Sequence, residues 1–443
     1  MKKIIIYKGH DIRISGIPTK ETSSIPKSET VALLPKTFRG VKPKLLVNEG
    51  DTVKIGSPLF FDKTKPDVKW ASPANGLVKT IQFGARRSVE KIEISVSGTE
   101  AIRGEAFRQE QLTRADRPTI LSRILEGNLF TLIRQRPYNK ISNPNDTPRD
   151  IFISAVNSAP LSVQIETVIE SEKEAFQAGV TALSKLTDGK VYVTFRNAIE
   201  LKDAIVQTIS GPHPAGNVGI QIHHTKPITP GDIVWTVNPQ HVITLGKLFL
   251  SGVYVPDVIV TVAGPGATAP QTVYAKVGSR VDSLIINQKL TDPTRLISGD
   301  VLTGQLVADD GFLGFYDSAV TLIPDTVERP FMGMLSIGSS DTKYSLTNTF
   351  VSLGEKLFKF TSSQNGEERA IIPLNAWDNV LPMDILPNEL YRSILAQDIE
   401  EMEQLGMWEC DDEDFALCSF ACPSKIDVGA VIRSGLDLFE QEC

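Results

Sequence analysis

Cysteine and histidine are scarce in this chain. It has four cysteines in 443 residues, all at or beyond position 410, and five histidines, none beyond His241. A disulfide framework needs cysteines spread along the chain, so the composition excludes a small disulfide-stapled fold. A zinc site near the C-terminus also lacks ligands, because no histidine joins the few cysteines there.

The sequence also lacks basic tracts and long apolar runs. It carries 46 lysines and arginines against 53 aspartates and glutamates, a net charge of −7, which is a poor match for nucleic acid. The most apolar stretch, residues 251–275, contains Asp257 and three prolines, so it cannot form a membrane helix of about 20 residues. The N-terminal apolar run is too short for a signal peptide. The sequence therefore predicts a cytoplasmic chain of roughly three or four domains, held at a membrane only by partners.

Residues 41–96 alternate between apolar and polar positions over short stretches separated by turn residues, which predicts strands. The halves VNEGDTVKIGSPLF and WASPANGLVKTI resemble the biotinyl/lipoyl-type barrel-sandwich hybrid. Carrier domains of that type modify a hairpin lysine, and Lys63 and Lys65 lie in the corresponding hairpin, FFDKTKPDVKW. We favour a barrel without a carrier role, because this hairpin is stretched and contains Pro66.

The centre of the chain has a β-α-β pattern. The sequence predicts strands at 150–155 and 191–195 and a helix at 169–186 between them. A helix between two apolar strands indicates a parallel sheet. No G-x-G-x-x-G motif follows a strand, so a dinucleotide site of the usual fingerprint is not predicted.

The remaining chain is predicted to be strand-rich from 258 to 321 and again from 331 to 360, and helical after Pro387. Asn388 is the expected cap of one long helix and Gly406 its end. The apolar stripe of this helix is formed by Leu390, Ile394, Leu395, Ile399, Met402 and Leu405.

The cysteine run CDDEDFALCSFACPSK, residues 410–425, ends like an iron–sulfur binding segment. Such segments follow C-x2-C-x2-C-x3-C-P. With Cys422 as the last ligand, Cys418 is the third, while Phe415 and Asp412 stand at the other two ligand positions. Cys410 is out of register and lies in an acidic run that disfavours further thiolate charge. We therefore predict a cluster loop that keeps its shape without a metal.

Four of the five histidines lie between 213 and 241, three of them in HPAGNVGIQIHH, residues 213–224. We expect His223 and His224 on opposite faces of a strand, where they cannot bind one metal ion. Gly216 and Gly219 could expose backbone N–H groups to an anion or a quinone carbonyl. The alternative is a turn between strands in which His213 and the other histidines are satisfied polar groups. No Ser-His-Asp or Cys-His set can be assembled from the sequence.

Four long motifs resemble one family, the A subunits of the Na+-translocating NADH:quinone reductases (Na+-NQR). They are HPAGNVGIQIHH at 213–224, RLISGDVLTG at 295–304, ERAIIPLNAWDNVLPMDILPNEL at 368–390 and ECDDEDFALCSFACPSK at 409–425. The resemblance implies a peripheral component, at the cytoplasmic face of the bacterial inner membrane, of a six-subunit complex that oxidises NADH, reduces ubiquinone and pumps Na+. It implies that flavins and iron–sulfur centres belong to the other five subunits, some of them integral membrane proteins, and that this chain binds no redox cofactor.

The family is similar to the C subunit of the Rnf complex and to the NADH-binding subunit of complex I, which implies the fold. We expect a multidomain α/β and α+β protein. Its predicted domains are a lipoyl-like barrel-sandwich hybrid at 1–100, a Rossmann-like α/β domain at 101–255, a β-grasp (SLBB-like) domain at 256–330 and a C-terminal domain at 331–443 that ends in helices and is related to iron–sulfur domains.

Those relatives bind FMN through a glycine-rich loop of the GGAGFPT type. The matching segment here is FTLIRQRPYNK, residues 130–140, whose bulky side chains would keep a phosphate away from the backbone. Arg134, Arg136, Tyr138 and Lys140 are candidates for contact with ubiquinone or with another subunit, as are the histidines and glycines of 213–224. The alternative function is an autonomous flavin-containing oxidoreductase.

Overall fold

The structure, a computed structural model, describes residues 2–288, 290, 293–326, 332, 341, 343–346, 356–372 and 374–442. Within these ranges the strands form sheets of seven, six, four and three strands. The first strands are β1 (Lys2–Ile5) and β2 (Thr22–Ser24). Neither belongs to the barrel that follows, because β1 pairs with a strand of the α/β domain and β2 with one of the later β-rich domain.

The N-terminal barrel-sandwich is built of two facing sheets. Its strands are β3 (Thr30–Leu33), β4 (Pro43–Leu45), β5 (Thr52–Val53), β6 (Pro58–Asp62), β7 (Lys65–Ala71), β8 (Asn75–Phe83) and β9 (Val89–Gly98). One sheet has the order β3-β9-β8-β5 and the other β4-β6-β7. Phe60 stacks on Trp70 between them, with ring centroids 4.5 Å apart. Both rings are fully buried, so each contributes about 3 kcal/mol to the barrel core.

The α/β domain follows. Its elements are α1 (Gln109–Arg114), α2 (Arg117–Glu126), β10 (Ile133–Arg136), β11 (Lys140–Ile141), β12 (Asp150–Ser154), α3 (Ile165–Ser171), α4 (Lys173–Ser184), β13 (Val191–Phe195), β14 (Ile205–Ser210), α5 (Val218–Thr225), β15 (Val234–Val237) and α6 (Pro239–Ser251). The sheet order is β1-β14-β13-β12-β15-β10-β11. The five strands from β1 to β15 are parallel, and β10 and β11 are antiparallel additions. The predicted parallel pairing of 150–155 with 191–195 is confirmed.

The predicted helix at 169–186 is interrupted near Glu172, where α3 ends and α4 begins. Its predicted apolar face is correct, because Phe176, Val180, Leu183 and Leu186 are fully buried. These residues join the barrel residues in one continuous hydrophobic core. The barrel and the α/β domain therefore pack against each other through a shared hydrophobic core.

The β-rich domain contains β16 (Asp257–Ala263), β17 (Gln271–Lys276), α7 (Val281–Leu284), β18 (Thr294–Ser298), β19 (Gln305–Val307) and β20 (Ala319–Pro324). Its sheet order is β19-β18-β20-β16-β17-β2. Valines and leucines of these strands form a separate core. The strands predicted between 331 and 360 lie mostly outside the described residues.

The C-terminal domain has α8 (Pro387–Ala396), α9 (Ile399–Gln404), α10 (Asp412–Ala421) and α11 (Val428–Glu442). The prediction of one long helix is wrong, because Gln397 adopts a left-handed conformation with φ 57° and separates α8 from α9. Asn388 is not the cap, since α8 begins at Pro387 and Leu386 takes the N-cap position. Gly406 does lie at the end of this helical region, with φ 91°.

Candidate functional site

A cavity lies at the carboxyl ends of the parallel strands. From the central strand β12 the chain proceeds to β13 and β14 on one side of the sheet, while β15 lies on the other side. Open α/β sheets of this kind bind ligands where the strand order reverses, just beyond the carboxyl ends. The cavity measures about 400 Å³, and its lining includes Ser154 and Asn157 after β12 and Val237 and Asn238 after β15.

Side chains from all four domains line this cavity, which we call the central cavity. Phe38 and Arg39 come from the barrel, Phe312 and Tyr316 from the β-rich domain, and Asp411 from the C-terminal domain. Three of the predicted site residues also line it, namely Arg134, Lys140 and Gly216. The structure brings these three together from two separate segments of the sequence.

Arg134 lies over the ring of Tyr316, with its guanidinium carbon 4.9 Å from the ring centroid. The Tyr316 hydroxyl donates to the carbonyl oxygen of Thr131 at 2.8 Å, and burial raises the pKa of this hydroxyl. His241 packs against the same ring, with centroids 5.7 Å apart. Burial and the charge of Arg134 lower the pKa of His241 to about 3, so this imidazole is neutral at physiological pH.

Arg136 lies two residues further along β10 and is enclosed by carboxyl groups. Its side chain is 1% exposed. Its guanidinium group lies 3.0 Å from Asp411, 2.7 Å from Glu413 and 3.5 Å from Asp414. These acidic residues lie at the start of α10. We call these four residues, with Asp412, Arg39 and Arg433, the Arg136 cluster.

The other two arginines of the Arg136 cluster come from different domains. Arg39 of the barrel lies 2.6 Å from Asp412, and Arg433 of α11 lies 3.7 Å from Asp411. The Asn139 amide donates to Asp411 at 2.6 Å. The Arg136 cluster therefore joins the barrel, the α/β domain and the C-terminal domain through buried charges.

The pKa values of the carboxyl groups in the Arg136 cluster are shifted in opposite directions. Although burial disfavours ionisation, the charges of Arg136 and Arg39 lower the pKa of Asp411 to about 2. Burial and the adjacent Asp411 charge raise the pKa of Asp412 to about 6. Burial also raises the pKa of Asp414 well above its usual value.

Gly219 and Asp414 form a close contact at the N-terminus of α5. A Cβ atom on Gly219 would lie 2.0 Å from Oδ2 of Asp414, so only glycine permits this approach. The Asn217 amide donates to the carbonyl oxygen of Glu413 at 3.0 Å. A carboxyl group of the same chain therefore occupies the space at the N-terminus of α5.

The strand predicted for His223 and His224 is wrong, because both lie on the helix α5. Asp384 donates its backbone N–H to Nε2 of His223, so Nδ1 carries the proton and donates to Glu409 at 2.9 Å. Nε2 of His224 donates to the carbonyl oxygen of Pro382 at 2.8 Å. These two histidines bind the C-terminal domain to α5.

His213 is a buried residue of the segment before α5. Its Nδ1 lies 3.0 Å from the Ser158 hydroxyl, and its backbone N–H donates to Asp11 at 2.8 Å. Burial lowers the pKa of His213. This histidine therefore ties the loop after β14 to the N-terminal segment and to the loop after β12.

Tyr138 and Lys140, two further predicted site residues, both contact α11. Tyr138 is buried, and its carbonyl oxygen accepts from Arg433 at 3.0 Å. Lys140 pairs with Glu440. Both residues therefore contribute to the junction between the α/β domain and the C-terminal domain.

The cluster loop predicted at 410–425 is wrong in shape, because residues Asp412–Ala421 form α10. Cys418 lies inside this helix and Cys422 at its end, and with Cys410 they are buried free thiols. Burial raises the pKa of Cys410 and of Cys418. In the described ranges, no three His, Cys, Asp or Glu side chains form a group that could hold a metal ion. Cys443 lies outside the described residues.

The lysines of the barrel hairpin differ in their surroundings. Lys65 donates to the carbonyl oxygen of Ile141 at 2.8 Å, and burial lowers the pKa of its ammonium group. Lys63 is exposed. Only Lys63 therefore stands free in solvent as a modified carrier lysine would.

Nothing in the local sequence indicated the partners of Arg136, because Glu413, for example, lies 277 positions away. An acidic run and a basic segment of complementary charge were the available signal, but no pattern links the two. Asn139 and Thr236 of the central cavity were missed as well, since each is an ordinary polar residue in its own segment.

The chain matches three known domain families, which define its class. Residues 4–97 match the NqrA N-terminal barrel-sandwich hybrid domain, residues 115–254 the NqrA second alpha/beta domain, and residues 259–309 the NQRA C-terminal domain. The predicted barrel-sandwich and the α/β domain are thereby confirmed. A relation to the Rossmann, β-grasp or iron–sulfur folds stays a prediction.

Curated relatives match over the whole length. The A subunit of the Na(+)-translocating NADH-quinone reductase of Saccharophagus degradans is 36% identical, and that of Tolumonas auensis is 38% identical, each over 99% of this chain and 100% of the relative. The protein of the same name from Yersinia pestis is also 38% identical over 99% of this chain. The chain therefore belongs to the family of the A subunits of the Na(+)-translocating NADH-quinone reductase.

One comparison with a solved structure is much weaker. An NAD+-reducing [NiFe]-hydrogenase is 12% identical over 51% of this chain and 52% of that one, with a TM-score of 0.35. A likeness of this size is too low to support an argument about fold or function.

Proposed function

We propose that this chain is a peripheral component of a Na+-pumping NADH:ubiquinone reductase, at the cytoplasmic face of the bacterial inner membrane. Its partners are the other five subunits, including integral membrane proteins. NADH, flavins, iron–sulfur centres, ubiquinone and Na+ are the cofactors and substrates of the complex. Full-length similarity to the A subunits of such reductases carries this proposal. In the part of the chain that the structure describes, no helix is long and apolar enough to cross a membrane.

The chain supports the quinone-reduction step without a redox cofactor of its own. The segment that corresponds to the FMN loop of the relatives supports this part of the proposal. Phe130, Leu132 and Ile133 are buried in the core, and Arg136 is enclosed by carboxylates. A flavin phosphate would have to displace both the core side chains and the paired carboxylates.

The fold relations of the domains are part of the same proposal. The parallel strands β14, β13, β12 and β15 stand in the order expected of a Rossmann-like domain, with the reversal beside β12. We assign the β-rich domain to the β-grasp type. We assign the C-terminal helices to a relative of iron–sulfur domains with a degenerate ligand set.

The predicted site residues act mainly as contacts that keep the domains in one arrangement for docking. Arg136, His223 and His224 each bind the C-terminal domain. Arg134, Lys140 and Gly216 are the candidates that remain for contact with ubiquinone, because they line the central cavity. A quinone oxygen can accept hydrogen bonds from the side chains of Arg134 and Lys140, whereas the Gly216 N–H already donates to the Ser158 hydroxyl at 2.7 Å.

A pull-down of the tagged chain from its host's membranes in mild detergent tests the proposal. We expect integral membrane proteins to co-elute, and the eluate to reduce a short-chain ubiquinone with NADH faster when Na+ is added. A chain that elutes by itself, yellow and releasing FMN on denaturation, would instead support an autonomous flavin enzyme.

The carrier alternative has its own control in the same preparation. The intact mass of the purified chain should equal the sequence mass, with no adduct on Lys63 or Lys65. A lipoyl-type mass shift on either lysine would instead support a carrier role for the barrel.

A further inference from the structure

The central cavity contains buried polar atoms that the chain itself does not satisfy. Thr236 is 4% exposed and Asn139 is 7% exposed, and both line the cavity. Within the described residues, Oγ1 of Thr236 and Oδ1 of Asn139 have no hydrogen-bond partner. An unsatisfied buried polar atom lowers the stability of the fold by about 1–3 kcal/mol. Such atoms are therefore uncommon unless another molecule or an ion forms a hydrogen bond with them.

The unsatisfied atoms adjoin Arg134. In the antiparallel pairing of β10 with β15, Arg134 is the direct partner of Thr236, so the two side chains lie on the same face of the sheet. Asn139 follows β10 in the same segment and donates its amide N–H to Asp411. Its amide oxygen, Oδ1, has no hydrogen-bond donor among the described residues. All three residues line the central cavity.

Arg134 is, among the described residues, a lining arginine without a carboxylate partner. Arg39 is paired with Asp411 and Asp412, whereas the contact of Arg134 in the described ranges is the ring of Tyr316. An arginine with no paired acid at the edge of a cavity favours a carboxylate or phosphate group.

The acidic residues from α10 that line the cavity do not exclude an anion there. Asp411, Asp412 and Glu413 are all paired with arginines within the Arg136 cluster. Their negative charge is therefore balanced before any ligand enters.

The acidic residues of the β-rich domain that line the cavity also accept hydrogen bonds from groups of the same chain. Asp300 accepts from the backbone N–H of Leu302 and from the Thr303 hydroxyl, both at 2.7 Å. Asp317 accepts from the Ser298 hydroxyl at 2.6 Å, and burial raises the pKa of Asp317, which favours its neutral form. Asp317 in its neutral form therefore does not compete with an anion for Arg134, and the lone pairs of Asp300 are engaged by donors of its own turn.

We propose that the central cavity binds a small water-soluble organic anion, with a carboxylate or phosphate on Arg134 and a hydroxyl group between Asn139 and Thr236. The volume of about 400 Å³ lies in the range of small-molecule sites. A neutral quinone fits these groups less well, because it brings no counter-charge for Arg134 and no donor for Oδ1 of Asn139. This inference goes beyond the proposed function and does not depend on the membrane complex.

Isothermal titration calorimetry on the purified full-length chain tests the proposal. The probes are adenosine monophosphate, malate, inorganic phosphate and a short-chain ubiquinone. We expect adenosine monophosphate or malate to bind, and the one that binds identifies the phosphate or the carboxylate source. Binding by neither, or binding by ubiquinone only, would overturn the proposal.

Two cavity variants and one matched control locate the binding. Arg134→Met should weaken binding roughly tenfold or more, because a charge-assisted hydrogen bond is lost. Thr236→Val keeps the shape and should weaken it by roughly threefold to tenfold. Thr261→Val is the control, since Thr261 is also buried with an unpaired hydroxyl in the described structure but is not among the residues that line the cavity.

The control decides between a cavity site and a general effect. Equal weakening in Thr261→Val, or no change in either cavity variant, would overturn the proposal. Thermal melts of all three variants show whether each is folded, and the isosteric Thr236→Val keeps the test valid when Arg134→Met does not fold.

Discussion

Arg134 and Arg136 lie two residues apart on the same strand, β10, and their surroundings differ. Arg136 is enclosed by Asp411, Glu413 and Asp414, whereas Arg134 rests on the ring of Tyr316 at the edge of a cavity. The start of α10 reaches one arginine and not the other. A basic segment in a sequence therefore need not serve one purpose, because the element packed against each residue determines its partners.

Loss of the Arg136 charge should destabilise the fold most. Arg136→Met leaves Asp411 buried without its closest cation, and breaking a buried pair in this way costs about 3–5 kcal/mol. Urea titration measures this loss as a decrease in the free energy of unfolding. The control is Arg295→Met, whose exposed pair with Asp325 is worth at most about 1 kcal/mol. Equal losses in the two variants would contradict the difference between buried and exposed pairs.

The second prediction concerns pH. Because the pKa of Asp412 is raised from 3.8 to about 6, its protonated form stabilises the fold below pH 3.8, and that contribution is lost as the pH rises through about 6. The loss is at most about 3 kcal/mol at roughly 1.36 kcal/mol per unit, and less after solvent screening.

The control for the pH effect is Asp412→Asn, which cannot ionise. Urea unfolding of both proteins from about pH 4 to about pH 7 should show a decline in the wild type that the variant lacks. The opposite contribution of Asp411, which is lost as the pH falls from 3.8 to about 2, lies outside that window. Parallel curves for the two proteins would refute the assignment to Asp412.

Gly219→Ala should cost about 1–3 kcal/mol, since the added methyl group must displace the Asp414 carboxyl group. The double variant with Asp414→Ala provides the sharper measurement, because removal of the carboxyl group makes room for the methyl group. We expect the cost of Gly219→Ala in the free energy of unfolding to shrink in that background. An unchanged cost would mean that the strain lies elsewhere on α5.

Arg134→Met should change stability least, because it removes an arginine–ring contact worth about 0.5–1 kcal/mol. The urea midpoint should therefore shift far less than for Arg136→Met, although both variants remove one arginine from the same strand. A comparable shift would erase the distinction between the two positions.

Sequence reasoning succeeded where local periodicity determines structure. The strands β12 and β13 were predicted because each is a short apolar run, and the buried face of α4 followed from a 3.6-residue spacing. It failed at His223 and His224, because Ile220 and Ile222 alternate as in a strand while the whole segment is a helix. An apolar segment of this length fits either structure until its neighbours are known.

The site was predictable only in part. The bulky character of residues 130–140 is visible in the sequence, but the pairing of Arg136 with Asp411 is a contact between distant segments. The cysteine run predicted a loop by analogy with metal-binding segments, and without the full ligand set the same residues form α10. Whether the chain contacts ubiquinone stays a prediction, since such contacts depend on a molecule outside the fold.

The placement of β1 has a consequence for the synthesis of the protein. Lys2 pairs with Gln207 in the parallel sheet, so β1 leaves the ribosome long before its partner strand β14 is made. At ordinary rates of translation, a separation of about 200 residues is a delay of roughly 10–40 s. During this time the barrel can fold, but the edge of the α/β sheet cannot close. Ile4 and Ile6 are buried in the folded protein. A nascent chain that still exposes them is therefore expected to bind chaperones.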